Sequence, residues 1–467
     1  MIEGIRTQTI TVIALMFTAA LAGCSDADGD KGPQPDLAAQ ALLSSVPETQ
    51  RWSLPGLQSE AWVLRTESNV PHIYAKDKLD LARVHAFVAA QDRFFLIDMM
   101  RRLGQGRVSE VFGDVALSAD LEARGTGMAS VGKRVLKMAS PEIREMMSAY
   151  AEGLNAYIEA VRQGKVPAPS EVKLAAPLLG YSQPVDAMSP FTLEDLGGVL
   201  ALILFQQGYE TEDLRRAKLR QQIDDSLLEG PDKALRKAGL VDDVFEAVAP
   251  THPLTTTAGF GINGAANASG KTDSLGPSPT VTKQGQLFGG KVPMALLDRV
   301  ERRLRGFSRR LGKTHRGEFG SNIWAVSEAK SKTGGALLCS DGHLSLEVPS
   351  IFWRVGIDTK VLGGGNTQQL GVTFAGLPMV GAGTNGSVAW SNTYLYGDIT
   401  DYYREEVTLG SDGLPAFTEF QGKKRDLNRI DEVYQLAKID FLQSPGGTQN
   451  WPRWTLFDGR LLIGVEG

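Results

Sequence analysis

The sequence predicts an α+β fold, and three features of its 467 residues predict it. Apolar residues recur at helical spacing through much of the first half. From Ser321 onward they recur in short β-type runs divided by turns that carry Gly and Pro. Between the two, residues 250 to 290 are rich in Thr, Gly, Ser, Asn and Pro and have little periodicity. Hydrophobic residues make up 42% of the chain and charged residues 22%, the composition of a globular protein long enough for two or three domains.

The N-terminus carries a targeting pattern. Ile10 to Gly23 form an apolar run behind Arg6 and in front of Cys24. That run is short for a bilayer span and suits the apolar core of a signal peptide. Its ending, "LAGC", resembles a bacterial lipobox, which predicts a signal peptide over 1–23 and lipidation of Cys24. Ser25 follows, so retention at the inner membrane is not signalled. The expected location is the bacterial cell envelope, as a periplasm-facing or outer-membrane-anchored lipoprotein; a plain cleaved signal is the alternative. Residues 24–50 read as a flexible tether. No later segment has a run of apolar residues long enough to span a membrane.

Residues 51–245 read as one ordered region. "AWVLRTESNVPHIYA" has the alternation of a strand, a turn and a strand. Leu79 to Arg102 turns helical. The run from Pro141 to Gly164 is an amphipathic helix with a Pro at its start and a Gly at its end. Residues 191–223 are helical again.

Residues 246–320 read as a spacer. They contain Gly259, Gly261 and Gly264 in a formal GxGxxG, but no strand precedes it and no helix follows, so a dinucleotide site is not predicted. Leu297, Val300, Leu304, Phe307 and Leu311 then fall at helical spacing opposite an Arg-rich face. This predicts a solvated helix at the end of the spacer, with a membrane-surface helix as the alternative.

Charge and cysteine content narrow the function. A net charge of −5 shows no nucleic-acid footprint. Cys24 and Cys339 alone cannot build a disulfide framework or a cysteine-based zinc site. No GxSxG or HExxH is present. Ser327 and Lys330 form an SxxK, and Lys332 to Gly334 a KTG. In β-lactamases those motifs lie far apart with an SDN between them; here they abut.

A serine without an elbow or a neighbouring base can be activated by its own amine. Cleavage of the Gly320–Ser321 bond would free an α-amino group beside the Ser321 hydroxyl. Such an amine has a pKa of ~7.7–8.0, so near neutral pH it can accept the hydroxyl proton. Nucleophile–amine pairs are an established form of activated nucleophile. Gly320 suits the cleavage step because it has no Cβ to obstruct approach to its carbonyl.

Several runs together resemble the penicillin acylase family of N-terminal nucleophile hydrolases. In the first half these are "VPHIYA", "AQDRFFLIDMMRRLGQGRVSEVFGD" and "YETEDLRRAKL". In the second they are "GSNIWAVS", "GALLCSDGHL", "GLPMVGAGTNGSVAWSNTY" and "YGDITDYYRE". The resemblance implies an αββα sandwich of two antiparallel sheets between helical layers. It implies self-cleavage after Gly320, loss of the spacer, and an α/β heterodimer whose β chain begins at Ser321, the nucleophile.

His343 falls where the family's backbone helps stabilise the nucleophile or the oxyanion. Tyr394 falls where a backbone N–H donates to the oxyanion. Glu210, Asp398, Thr400 and Asp401 match a calcium site, with Thr400 lending its carbonyl. Asn322, Trp324 and Asp92-Arg93 are implied to pack and to position the cleavage loop. The family's second oxyanion donor, an Asn, and an active-site Arg match nothing up to Gly467, so the sandwich is expected to be incomplete at its C-terminal end. The implied substrates are small N-acyl amides. An N-acyl homoserine lactone acylase and a non-catalytic envelope lipoprotein are the rival readings.

Overall fold

The computed structural model describes residues 34–208, 214–215, 217–219, 221–222, 293–310, 320–344, 348–393, 402 and 405–463. After α1 (Leu37–Ser45), the turn at Thr66–Asn69 reverses the chain between β1 (Trp62–Arg65) and β2 (Pro71–Tyr74). Asn69 takes a φ of 58° there, a left-handed value that Asn tolerates better than most residues.

The long helix α2 (Lys78–Gln105) follows. Asp77 caps it by accepting the amides of Leu79 and Asp80 at 2.8 and 2.9 Å. Gly106 closes it at a φ of 62°. Arg93 leaves helical geometry at φ −144° and ψ 21°, which kinks the helix beside Asp92.

Three short helices then run through a Gly-broken stretch: α3 (Ser109–Phe112), α4 (Asp114–Gly125) and α5 (Met128–Met138). Helix α6 (Pro141–Arg162) starts at Ser140, whose hydroxyl accepts the Ile143 amide, and is the amphipathic helix that the sequence predicts. Helices α7 (Ser170–Leu178) and α8 (Leu193–Gly208) complete the first half.

Two glycines set how closely these helices approach. A Cβ at Gly153 of α6 would lie 2.1 Å from the Arg83 carbonyl oxygen of α2, and one at Gly104 of α2 would lie 2.3 Å from the Gly198 carbonyl oxygen of α8. The "DMMRR" run forms a buried ion network. Asp98 accepts from Arg101 Nε and Arg102 Nε, both at 2.8 Å, and Arg102 also donates to Glu110 at 2.6 Å. Arg101 further donates to the Ser189 and Pro190 carbonyls and lies 3.7 Å over the Phe191 ring, which ties α2 to the segment leading into α8.

Helix α9 (Met294–Arg310) departs from expectation. Its Leu297, Val300 and Leu304 are buried against Met100, Ala123, Met128 and Leu200. The apolar face is therefore core, neither solvated nor turned to a membrane, because α2, α4, α5 and α8 present a complementary apolar surface. Among the described residues, no helix is long and apolar enough to cross a membrane.

The rest is β: β3 (Gly320–Val326), β4 (Leu337–His343), β5 (Phe352–Asp358), β6 (Gln368–Phe374), β7 (Ala382–Thr384) and β8 (Ala389–Trp390). Then come β9 (Val407–Leu409), β10 (Pro415–Phe420), β11 (Lys423–Asp426), β12 (Asn428–Ile439) and β13 (Ser444–Thr455). A six-stranded sheet has the order β1-β2-β5-β6-β7-β8 and is antiparallel except at β2–β5. Strands β9–β11 form a three-stranded sheet, and β12–β13 and β3–β4 are hairpins. The fold class is thus the predicted α+β. Of the implied sandwich, the described residues contain a helical layer packed on the six-stranded sheet.

That sheet joins residues from both sides of Gly320. His72, Ile73 and Tyr74 pair in parallel with Gly356, Ile357 and Asp358. Asp92 reinforces the join at the kink, accepting two bonds from Arg65 at 2.9 and 3.0 Å and one from Trp353 Nε1 at 3.0 Å. Behind it, His85 of α2 is fully enclosed, stacked on Trp353 at 5.4 Å and edge-on to Tyr150 at 5.3 Å.

Burial pushes the His85 imidazole from the usual 6.5 down to about 3. The unfolded chain therefore binds a proton below pH 6.5 that the folded chain refuses until about pH 3. We predict that stability falls as pH drops through this window, and that His85→Phe flattens the fall. Urea unfolding followed from pH 7 to pH 4 checks it, with the slope for the variant expected shallower by about 1.4 kcal/mol per pH unit.

Candidate active site

Ser321 is the second residue of β3, one position after the strand begins at Gly320. The strand exists because Gly-Ser-Asn-Ile-Trp-Ala-Val pairs along its whole length with Leu337–His343. The connection between them holds Ser327 and Lys330 in an exposed turn, where Glu328–Lys330 make a single 3₁₀ turn. Both residues of the SxxK are exposed.

The Ser321 hydroxyl donates to the Gly320 carbonyl oxygen at 2.6 Å. It thus lies against the Gly320–Ser321 peptide bond. Thr393 Oγ1 donates to the Ser321 carbonyl at 2.9 Å from a residue far along the chain.

The register assigns faces. Gly320 pairs with His343, Ser321 with Gly342 and Asn322 with Asp341. Side chains alternate along a strand, so His343, Asp341 and Asn322 share one face and Ser321 projects from the other. The imidazole makes its own cluster there. His343 Nε2 lies 3.1 Å from Asn322 Nδ2 and 3.2 Å from Asp341 Oδ2. A bare Nε2 accepts from Asn322, and a protonated one donates to Asp341, so the tautomer selects the partner. The ring is on the wrong side to act as base for the Ser321 hydroxyl. The His343 backbone pairs with Gly320, the residue before Ser321.

Of the other expected site residues, Tyr394, Glu210, Asp398, Thr400, Asp401 and Cys24 lie outside the described residues. Among the described residues, no cluster of three or more His, Cys, Asp or Glu side chains is arranged to hold a metal ion. Trp324, expected to pack, is 53% exposed. Asp92 does position, but by joining α2 to β1 and β5. The contacts of Ser391 and Thr393 with the hairpin escaped sequence reasoning. Their only trace in the sequence is a polar Ser-Asn-Thr run straight after Trp390.

An α+β chain whose strand opens on Gly-Ser, with the hydroxyl against the preceding carbonyl, has the features of the N-terminal nucleophile hydrolase class. A family model described as penicillin amidase matches residues 60–441, and the chain belongs to that family. It is 26% identical over 382 residues to an acyl-homoserine lactone acylase QuiP of Pseudomonas fluorescens, covering 82% of this chain and 40% of that protein. It is 25% identical over 383 residues to the penicillin acylase 2 proenzyme of a Pseudomonas species, covering 81% of this chain and 41% of that protein. The chain thus spans about two fifths of the length of these relatives. A thermostable penicillin G acylase from Alcaligenes faecalis aligns in structure at 22% identity and a TM-score of 0.33, over 42% of this chain and 94% of that one. That likeness is too low to place any residue.

We predict that His343→Gln slows self-cleavage far less than the ~10²–10⁴-fold expected for loss of a general base. A gel time course of the precursor checks this, and a drop within that range would return the imidazole to the chemistry.

Proposed function

We propose that this chain belongs to an amide hydrolase of the penicillin acylase type that processes itself at Gly320–Ser321. The observation that carries the reading is the Ser321 hydroxyl held 2.6 Å from the carbonyl oxygen of the preceding residue, in a chain of this family. In the processing step, Ser321 Oγ bonds to the Gly320 carbonyl carbon and the C–N bond breaks. The hydroxyl proton passes to the departing nitrogen. Water then splits the ester, leaving a Gly320 carboxylate and a Ser321 with both hydroxyl and free amine. The products are the two chains of an α/β heterodimer; release of the spacer peptide takes a second hydrolytic cut, on the N-terminal side of the spacer, that consumes a second water.

In turnover, the Ser321 amine takes the hydroxyl proton as Oγ attacks a substrate amide. Negative charge develops on the amide oxygen, and the Tyr394 N–H is the proposed donor to it; one such donor is worth about 2.7–4 kcal/mol of barrier. The amine product leaves and water hydrolyses the acyl-enzyme. Small N-acyl amides are the proposed substrate class, and the similarity to relatives named acyl-homoserine lactone acylases supports N-acyl homoserine lactones as candidates.

Three carboxylates (Glu210, Asp398 and Asp401) and the Thr400 carbonyl make an all-oxygen donor set suited to Ca²⁺. The ion would bridge the two chains after the cut and hold their contact; no chemical step needs it. Cys24 is the proposed lipid attachment point and the envelope the proposed location.

Expression of the full chain should yield a fragment beginning Ser-Asn-Ile-Trp, and Ser321→Ala should remain one chain. The mass of the N-terminal fragment reads whether it starts at an acylated Cys24. Amide turnover should rise with pH through ~7.7–8.0, because the protonated amine cannot accept the hydroxyl proton. A precursor that stays uncut with Ser321 intact overturns the reading. For calcium, chelation should lower the melting temperature of the cut protein and leave that of a variant carrying both Asp398→Asn and Asp401→Asn where it was.

A further inference from the structure

We propose that Thr393 is a positioning residue for Ser321: its hydroxyl pins the main chain of a nucleophile that scission turns into a chain end. This rests on the reading of Ser321 as an N-terminal nucleophile.

Chain ends fray unless something ties them down. An isolated two-stranded hairpin is itself marginal in water. The hairpin that carries Ser321 has little packing to hold it, since every position of β4 is exposed. Hydrogen bonds from outside the hairpin add to the half-buried contacts of β3 in fixing the serine.

Residues 390–393 supply them by alternation. Trp390 Nε1 donates to the Val380 carbonyl at 3.1 Å and Asn392 Nδ2 to the Gly381 carbonyl at 3.2 Å. Gly381 is bonded in turn to Val372 of β6 through its amide, at 2.9 Å. The intervening side chains face the other way. Ser391 Oγ donates to Ser340 Oγ at 2.6 Å, and Thr393 Oγ1 donates to the Ser321 carbonyl at 2.9 Å. The segment is a strap between the six-stranded sheet and the Ser321 hairpin, with successive side chains gripping each in turn.

The grip on Ser321 is on the side that survives. The scissile bond lies N-terminal to Ser321 Cα, and the carbonyl held by Thr393 lies C-terminal to it. The cut therefore frees the amine and leaves the tether in place. Holding that carbonyl restrains the peptide plane after Ser321, the base from which ψ then directs the amine and χ1 directs Oγ. Loss of such positioning is expected to lower the rate while leaving substrate affinity alone.

The test compares the full-length parent chain with Thr393→Val, which keeps the shape and loses the donor, and Thr393→Ser, which keeps the donor. Thr393→Val should slow appearance of the Ser321 fragment by about ten- to a hundred-fold. In the cut protein it should lower kcat on a chromogenic N-acyl amide by a similar factor with KM nearly constant. Thr393→Ser should recover most of both. In a Ser321→Ala background, where no chemistry occurs, Thr393→Val should speed amide hydrogen exchange in residues 320–343, and Thr393→Ser should not. Equal exchange in all three, or a valine variant that processes like the parent, overturns the proposal. If the parent itself stays uncut, the nucleophile reading fails, and the exchange comparison still decides whether Thr393 holds the hairpin.

Discussion

The carboxylate of Asp92 joins the two parts of the chain that flank Gly320–Ser321. It accepts from Arg65 on β1 and from Trp353 on β5, and it sits where α2 abandons helical geometry at Arg93. A straight helix would carry the next turn past this point. The kink instead turns a charged group toward the sheet, where three donors satisfy it. A partly buried carboxylate left without them would be costly. The parallel pairing of β2 with β5 depends on the same registration, and so does the placement of His85 against Trp353. The six-stranded sheet is thereby fixed to the helical layer at one defined angle.

From that sheet the site is built outward by a few directional bonds. The hairpin bearing Ser321 is not buried by the helices. Its place relative to the sheet comes from the residues after β8, whose side chains reach alternately to either side. The contrast with the helical layer is plain: glycine-mediated contacts and a buried ion network lock α2, α6 and α8, whereas hydrogen bonds from exposed residues locate the serine. Buried contacts hold the scaffold together, and the strand that bears Ser321 is joined to it by hydrogen bonds.

Much of this was legible in the sequence where signals are local. Helix α6 has Ser-Pro at its start and a Gly past its end, and its apolar period is clean; α2 is buried on nearly every side through its first half, so its helical character shows as an apolar run more than as a face. Strands β3 to β6 alternate between punctuating turns. The resemblance of "GSNIWAVS" and its companion runs to the family marked Ser321 as the candidate nucleophile; the Gly-Ser pair alone recurs at Gly386-Ser387 and Gly410-Ser411. What was not legible is non-local. Helix α3 is a single turn, and Gly113 and Gly127 interrupt the run on either side of α4. The core role of α9 depends on a surface assembled from four other helices. The side on which His343 emerges follows from a strand register, and one residue of slip would reverse it. Thr393 bonds to a main-chain carbonyl, a partner every residue possesses, so no residue type could have announced it.

The strand order has a consequence for molecularity. Strands β1 and β2 precede the Gly320–Ser321 bond, while β5 to β8 follow it, yet all lie in one sheet with β2 and β5 side by side. An intact chain makes that pairing as an intramolecular loop closure. Once severed, the same pairing is an encounter between two polypeptides, and its midpoint becomes a function of concentration. Unfolding of a cut form would separate two chains, and refolding would have to begin with their encounter.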